Sequence, residues 1–164
     1  MIQSRTHTCN ELRSRNIGER VTLAGWYENI RKVSKNLGFL ILRDFYGTTQ
    51  IVIETEEMMQ TLEGINNEST LSIEGTVRER SSKNPALATG DIEVVPDKIT
   101  VLGSCIYNAL PFEINRSTEA DENIRLKYRY LDLRNPGVKN KIILRSKIVA
   151  ELRQRMTELG FYEI

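Results

Sequence analysis

The chain has 164 residues, 40% of them hydrophobic, and its 23 Lys and Arg nearly balance its 22 Asp and Glu, for a net charge of +1. That length suits one domain, or one domain with part of another, and the net charge alone gives no support to a nucleic-acid partner. Two isolated cysteines and one histidine do not make a metal site, and without a signal peptide or an apolar membrane span we expect a cytoplasmic protein with free thiols.

The local patterns predict a small β-rich domain after a short N-terminal helix over Thr8–Gly18, which begins near Asn10. One helix, with apolar spacing from Met58 to Ile65, separates the third predicted strand from the fourth. Gly25, inside the first strand, indicates a close approach of another backbone. The five predicted strands are Val21–Asn29, Phe39–Arg43, Thr49–Ile53, Leu71–Glu79 and Asp91–Leu102.

Five strands with a helix between the third and fourth match the OB-fold, a small, partly open Greek-key barrel whose outer face binds oligonucleotides. Strand count alone leaves other small barrels open. We therefore predict a mainly β fold, with the five-stranded OB-fold barrel over residues 1–104. Residues 105–138 have the composition of an irregular connector, with one helical turn around residues 119–125.

The final segment, residues 139–164, is predicted to form a helix that ends at Gly160 and is followed by the beginning of a strand. It carries an apolar stripe formed by Ile148, Leu152, Met156 and Leu159. The segment is also basic, because Arg and Lys greatly outnumber Asp and Glu from Arg125 to Arg155.

The stretch from Trp26 to Ile53 combines cations, a flat ring and an amide on neighbouring strands. Arg31 is predicted to lie with two lysines in the loop after the first strand, Phe39 begins the second strand and Gln50 lies on the third. Cations hold phosphates, a ring stacks on a base and an amide can hydrogen-bond to a base edge. This pattern predicts a single-strand RNA surface, although the residues alone also allow Phe39 in the core and Gln50 as an ordinary surface residue.

Two sequence stretches resemble the class II aminoacyl-tRNA synthetases of the aspartate, asparagine and lysine group. The run Arg-Leu-Lys-Tyr-Arg-Tyr-Leu-Asp-Leu-Arg at residues 125–134 resembles their connector, and the last helix with Gly-Phe-Tyr-Glu-Ile at 160–164 resembles the first motif of their catalytic domain. Arg-Thr-His-Thr-Cys at 5–9 and Ala-Thr-Gly-Asp-Ile-Glu-Val at 88–94 are most similar to bacterial, aspartate-specific members. The resemblance covers the whole chain, and it makes residues 139–164 the start of a catalytic domain.

The resemblance implies that the partner is a tRNA anticodon loop. By position, Phe39 would stack on the middle anticodon base, a uridine, Gln50 would hydrogen-bond to the edge of that base, and Arg31 would contact the anticodon. Three further positions, at the first and last anticodon bases, are matched by Arg80, Asn84 and Glu93. Of these, Glu93 would accept hydrogen bonds from the first base, a guanine.

The resemblance also implies a larger parent enzyme, a homodimer that uses ATP and Mg²⁺ to join aspartate to tRNA. This chain would then contribute recognition and would hold no catalytic residue, cofactor or metal. Three alternatives stay open: the same domain of an asparagine or lysine enzyme, a free OB-fold module for single-stranded nucleic acid, and a protein-interaction fragment that pairs through its last helix. The connector and the motif-one helix would serve no purpose in a free module.

Overall fold

The computed structural model describes residues 4–164, which form two compact units: a barrel unit that ends at Ala109 and a helical unit, Leu110–Ile164. The predicted five strands and interposed helix are confirmed. They are β1 (Arg20–Lys32), β2 (Gly38–Arg43), β3 (Thr48–Ile53), α1 (Glu56–Thr61), β4 (Thr70–Glu79) and β5 (Ile92–Gly103). Within residues 4–164, every helix is too short or too polar to cross a membrane.

The five strands close into a barrel in the order β1-β2-β3-β5-β4. The long first strand makes this possible, because its first half pairs with β4 and its second half pairs with β2. The other seam is short: β3 and β5 run parallel and are paired at Ile51 and Val94. The barrel is therefore closed, where the sequence analysis expected a partly open one.

Alternation along the strands separates an inward face from an outward face. On β2, Gly38, Leu40 and Leu42 are buried, while Phe39 and Ile41 between them are partly exposed. Since successive side chains of a strand point to opposite faces, this pattern fixes which residues meet solvent. The barrel core consists mainly of aliphatic side chains from all five strands, among them Val21, Leu23, Leu40, Leu42, Ile51, Ile53, Leu71, Ile73, Val77, Ile92 and Val94.

The prediction of an N-terminal helix over Thr8–Gly18 is wrong, because only a short 3-10 turn forms there, at Ser14–Asn16. Side chains of the segment bind its own backbone: Glu11 accepts from the Thr8 amide at 2.6 Å, and Asn16 accepts from the Arg13 amide at 2.9 Å. Such local hydrogen bonds compete with helical ones. Cys9 and Leu12 are fully buried in the core of the barrel, and burial raises the pKa of the Cys9 thiol, with Asp44 adding to the effect.

The first strand passes close to β2 at Gly25, as the sequence predicted, because a Cβ at this position would clash with the carbonyl of Arg43. A bulge follows between Tyr27 and Asn29 and bends the strand. The buried Arg43 guanidinium lies 5.6 Å from the centre of the Trp26 ring and forms an ion pair with Glu68. Trp26 is therefore partly exposed on the outward face of β1, where it contacts Arg43.

The helical unit contains more regular structure than an irregular connector. A 3-10 segment, Ile114–Glu119, leads into α2 (Glu122–Lys127), α3 (Arg129–Asp132) and the long α4 (Pro136–Glu158). Asn135 caps α4 and places its beginning ahead of the predicted start at Lys139, because its side chain accepts from the Gly137 amide at 2.8 Å. Residues 161–164 are not a strand in this structure.

A buried carboxylate, Asp132, holds the short helices of this unit together. It accepts hydrogen bonds from Ser117 at 2.7 Å and Arg125 at 3.2 Å, and it forms an ion pair with Arg129. Burial alone would raise the pKa of Asp132, but the hydrogen bonds from Ser117 and Arg125 and the positive charges of both arginines outweigh burial. The pKa of Asp132 is therefore below its ordinary value of 3.8.

We predict that Asp132 makes the helical unit sensitive to acid. A carboxyl group whose pKa is lowered by folding stabilises the fold above its unfolded pKa, and this contribution is lost as pH falls through the folded value. Asp132→Asn should reduce the free energy of unfolding by about 1.5–3 kcal/mol at neutral pH, as expected for hydrogen bonds to a charged group. The difference from wild type should vanish in strong acid.

Chemical unfolding followed by far-UV circular dichroism measures this effect. The matched control is Glu119→Gln, which removes a carboxylate that pairs with Arg116 at the surface, where such a pair contributes about 0–1 kcal/mol. An Asp132→Asn chain as stable as wild type at neutral pH would contradict the prediction. The same would be true of a difference that does not change with pH.

Candidate nucleic-acid interface

Phe39 and Gln50 lie on the same outward face of two paired strands. In the antiparallel register of β2 and β3, Phe39 is opposite Val52 and Ile41 is opposite Gln50. The ring and the amide are thus diagonal neighbours, within reach of one another across the sheet. Phe39 is partly exposed, whereas only 9% of Gln50 is accessible to solvent.

Arg31 lies on the end of β1, directly opposite Phe39, and not in the following loop as the sequence suggested. Its guanidinium carbon is 4.9 Å from the centre of the Phe39 ring, which is a cation–π contact. A base can stack on the other ring face or replace the guanidinium, which itself stacks on flat rings. The two residues therefore form one partly exposed stacking platform on the outward face.

The amide of Gln50 is held from the far side by a carboxylate on β5. Gln50 Nε2 donates to Glu93 Oε2 at 3.0 Å, and Arg78 on β4 donates to Glu93 Oε1 from Nη2 at 2.8 Å and from Nε at 3.2 Å. Arg78 Nη2 also donates to Glu54 Oε1 at 2.8 Å. These hydrogen bonds raise the pKa of Arg78, with Glu54 contributing most and Glu93 next.

Glu93 is not an exposed carboxylate with free oxygens that a base could reach directly. Only 2% of Glu93 is accessible, and each of its two oxygens already accepts a hydrogen bond, from Gln50 or from Arg78. A carboxylate has lone pairs for about four donors, so its bonding capacity is not exhausted. In this structure the buried Glu93 carboxylate is bonded to Gln50 and Arg78, and it is not open to solvent.

Arg80 and Asn84 lie in the loop between β4 and β5, beside the beginning of β5. The loop is tied by hydrogen bonds from the Arg80 amide to Asp91 at 2.9 Å and from the Asn84 amide to Gly90 at 3.0 Å. Thr89 fastens it to β3 through a 2.7 Å hydrogen bond to the Thr48 carbonyl. Within the part of the chain that the structure describes, neither the Arg80 nor the Asn84 side chain joins the Gln50–Glu93 network.

Arg78 was not among the residues predicted from the sequence to form the site. A signal was present, since Arg78 alternates outward along β4 and faces Glu93 across the β4–β5 ladder. Of the two lysines predicted to lie in the loop after the first strand, Lys32 is the last residue of β1 and only Lys35 lies in the loop. Lys32 and Lys35 line a groove together with Glu56 and Glu63, so the charges along that groove are mixed.

No group of three or more His, Cys, Asp or Glu side chains within residues 4–164 is arranged to hold a metal ion. The outward face of β2 and β3 can stack on a base and hydrogen-bond to it. It carries the Phe39 ring with Arg31 over it and the Gln50 amide bonded to Glu93, and the β4–β5 loop lies at one side. These groups suit the binding of an unpaired base, which presents a flat face and a polar edge.

Comparison with known proteins agrees with this geometry. A family described as "OB-fold nucleic acid binding domain" matches residues 21–102, and one described as "tRNA synthetases class II (D, K and N)" matches residues 121–164. The chain is 41% identical to an aspartate–tRNA ligase of Bacteroides fragilis, over 98% of this chain and 27% of the relative. It is 45% identical to an aspartate–tRNA(Asp/Asn) ligase of Ehrlichia canis, with the same coverage of both chains.

A solved structure, asparaginyl-tRNA synthetase from Pyrococcus horikoshii complexed with asparaginyl-adenylate, matches with a TM-score of 0.79 at 25% identity, over 100% of this chain and 36% of that one. The chain thus spans about a quarter of the length of the curated relatives it matches. The resemblance to bacterial aspartate enzymes of class II that the sequence suggested is confirmed. The first family covers half of the chain, its barrel strands and the outward face described above, and the chain belongs to that family of OB-fold nucleic-acid-binding domains.

Proposed function

We propose that this chain recognises the anticodon loop of a tRNA as part of an aspartate–tRNA ligase. The names of the relatives at 41% and 45% identity support the choice of aspartate, since the asparaginyl enzyme reaches only 25% identity. The name of the Ehrlichia canis relative includes both aspartate and asparagine tRNA, so acceptance of both tRNAs is compatible with this function. Phe39 and Gln50 would serve for both tRNAs, because the aspartate and asparagine anticodons have the same middle base.

The observation that carries the proposal is the placement of Phe39 and Gln50 as diagonal neighbours on one outward face. A base stacked on the ring brings its edge toward the neighbouring strand, where the amide lies. Uracil presents a ring N–H donor beside a carbonyl acceptor, and an amide offers the complementary acceptor and donor. The two strands can therefore bind the face and the edge of one nucleotide.

Arg31, Arg80, Asn84 and Glu93 belong to the same proposal. Arg31 would add a cation next to the stacked base, and the loop that carries Arg80 and Asn84 would flank the neighbouring anticodon bases. For Glu93 to accept from the first base, that base would have to approach the carboxylate between Gln50 and Arg78. The support for these roles is position: Arg31 contacts the Phe39 ring, and the other three residues lie at the β4–β5 loop or its end.

The larger enzyme is part of the proposal as well. We place the OB-fold domain at residues 1–104, the connector at 105–138 and the start of the catalytic domain at 139–164. ATP and Mg²⁺ would act in the catalytic domain of the full-length enzyme, in the cytoplasm. The chain described here would bind tRNA without charging it.

Paired substitutions at Phe39 and Gln50 test the recognition role. Phe39→Ala should cost about 1–3 kcal/mol of binding free energy for one stacked base, and the loss should be similar for any middle base. Gln50→Ala should weaken binding of uridine and leave the other bases almost unchanged, since an edge contact contributes about 1–3 kcal/mol of discrimination. Titration with stem-loops that differ only at the middle anticodon base, at one salt concentration, measures both effects.

Phe39→Leu is the matched control, because leucine keeps an apolar side chain but has no flat ring. It should lose binding as Phe39→Ala does while the thermal stability of the domain stays close to that of wild type. Equal weakening for all four bases in Gln50→Ala would contradict the reader role. Unfolding of both Phe39 variants would show that the ring is a core residue instead.

The long helix α4 supports a further part of the proposal, that the full-length enzyme is a homodimer. Its stripe is exposed in the helical unit, with 59% of Leu152 and 45% of Met156 accessible. We expect the 164-residue chain to self-associate through this stripe, and Leu152→Glu to reduce association by placing a charge in the contact. Sedimentation velocity over a range of concentrations measures this, with the solvent-facing Glu151→Gln as the control; a monomer at every concentration would contradict it.

A further inference from the structure

The network behind Gln50 determines which way its amide points. Nε2 of Gln50 lies 3.0 Å from Glu93 Oε2, and an ionised carboxylate only accepts hydrogen bonds. The NH₂ group must therefore face Glu93, because the opposite orientation would bring two acceptor oxygens together. The carbonyl oxygen of Gln50 is then directed away from Glu93, and one N–H of the NH₂ group remains for a second acceptor.

Arg78 holds the Glu93 carboxylate in place, and this carboxylate in turn orients the Gln50 amide. Arg78 donates from two nitrogens to Oε1 of Glu93, and the side chain of Glu93 is only 3% exposed, whereas that of Arg78 is 45% exposed. The two hydrogen bonds from Arg78 hold this buried carboxylate in place. Arg78 reaches it across the β4–β5 ladder and is steadied on the other side by Glu54.

Amide orientation matters because uracil and cytosine present opposite patterns at the same place. Uracil presents a ring N–H next to the O4 acceptor, whereas cytosine presents a ring nitrogen acceptor next to an amino donor. A side-chain amide that is free to turn over can satisfy either pattern, since its oxygen accepts and its NH₂ donates. An amide held in one orientation fits only one of them when stacking holds the base in place.

We propose that Arg78 is a positioning residue for base selectivity: through Glu93 it locks the Gln50 amide in the orientation that accepts uracil and rejects cytosine. The inference rests on the proposed function and goes beyond it, because it assigns discrimination between two pyrimidines to residues that need not touch the base. Glu93 acts here through Gln50.

Glu93→Gln tests the lock with little change of shape. A glutamine at this position can donate or accept, so it permits both orientations of Gln50. We expect wild type to prefer uridine over cytidine at the middle anticodon position by about 5- to 150-fold, the range for a good edge contact. In Glu93→Gln and in Arg78→Ala the ratio should fall to within about threefold, mainly through tighter binding of cytidine. Arg78→Lys should keep part of the ratio, because a lysine supplies charge without the fork.

Glu54→Gln is the matched control, since it removes the charge of the outer partner of Arg78 and leaves both hydrogen bonds from Arg78 to Glu93 in place; the ratio of this variant should equal that of wild type. A second readout needs no RNA: in NMR spectra the two Gln50 Nε2 protons should be well separated in wild type and should move together in Glu93→Gln. Since loss of a buried partner can unfold a domain, each variant is first checked by thermal unfolding, and Glu93→Gln with Arg78→Lys carries the test if Arg78→Ala does not fold.

The possible results distinguish failure of the lock from failure of the proposed anticodon recognition. Wild type without a uridine preference would overturn the proposed function, and the lock with it. A wild-type preference that survives unchanged in folded Glu93→Gln and Arg78→Lys would overturn the lock alone. A loss of affinity for all middle bases at a constant uridine-to-cytidine ratio would also overturn the lock, and it would leave Glu93 with the contact to the first anticodon base, or with a role in stabilising the barrel, as its function.

Discussion

The inward face of β2 and β3 is the constraint on which the proposed recognition surface depends. Four side chains of these strands are fully buried: Leu40, Leu42, Ile51 and Ile53. Because successive side chains alternate between faces, the residues between them face outward. A shift of one residue in the pairing of these strands would move Phe39 into the core and a leucine to the surface. The positions of Phe39 and Gln50 thus follow from how the barrel fills its interior.

The second requirement is that a buried polar group must be fully satisfied. Glu93 is almost inaccessible at the barrel surface, and an unpaired charge there would cost several kcal/mol. Gln50 and Arg78 together supply its hydrogen bonds, so the cost of burying the carboxylate is offset by two partners from neighbouring strands. A by-product of this arrangement is rigidity: the amide that lies beside Phe39 is ordered before any ligand arrives, which reduces the entropy lost on binding.

Much of this arrangement could be predicted from the sequence, because period-two alternation and turn residues report directly on strands. The five strands, the helix after β3 and the close approach at Gly25 all come from local pattern. The N-terminal segment could not be predicted in this way, since Glu11 and Asn16 replace helical hydrogen bonds with side-chain ones. Likewise, a sequence shows Arg78 and Glu93 as two separate surface residues, and only the pairing of β4 with β5 brings them together.

NMR titration of the isotopically labelled chain tests the proposal that the outward face of β2 and β3 binds the anticodon. With a stem-loop carrying the aspartate anticodon, we expect the largest chemical-shift changes at the Arg31 and Phe39 side chains and at the Gln50 amide. The methyl groups of Leu40 and Leu42, on the inward face of the same strand, should change little. Changes concentrated at the groove beside Lys35 or along α4, with Phe39 and Gln50 undisturbed, would contradict it.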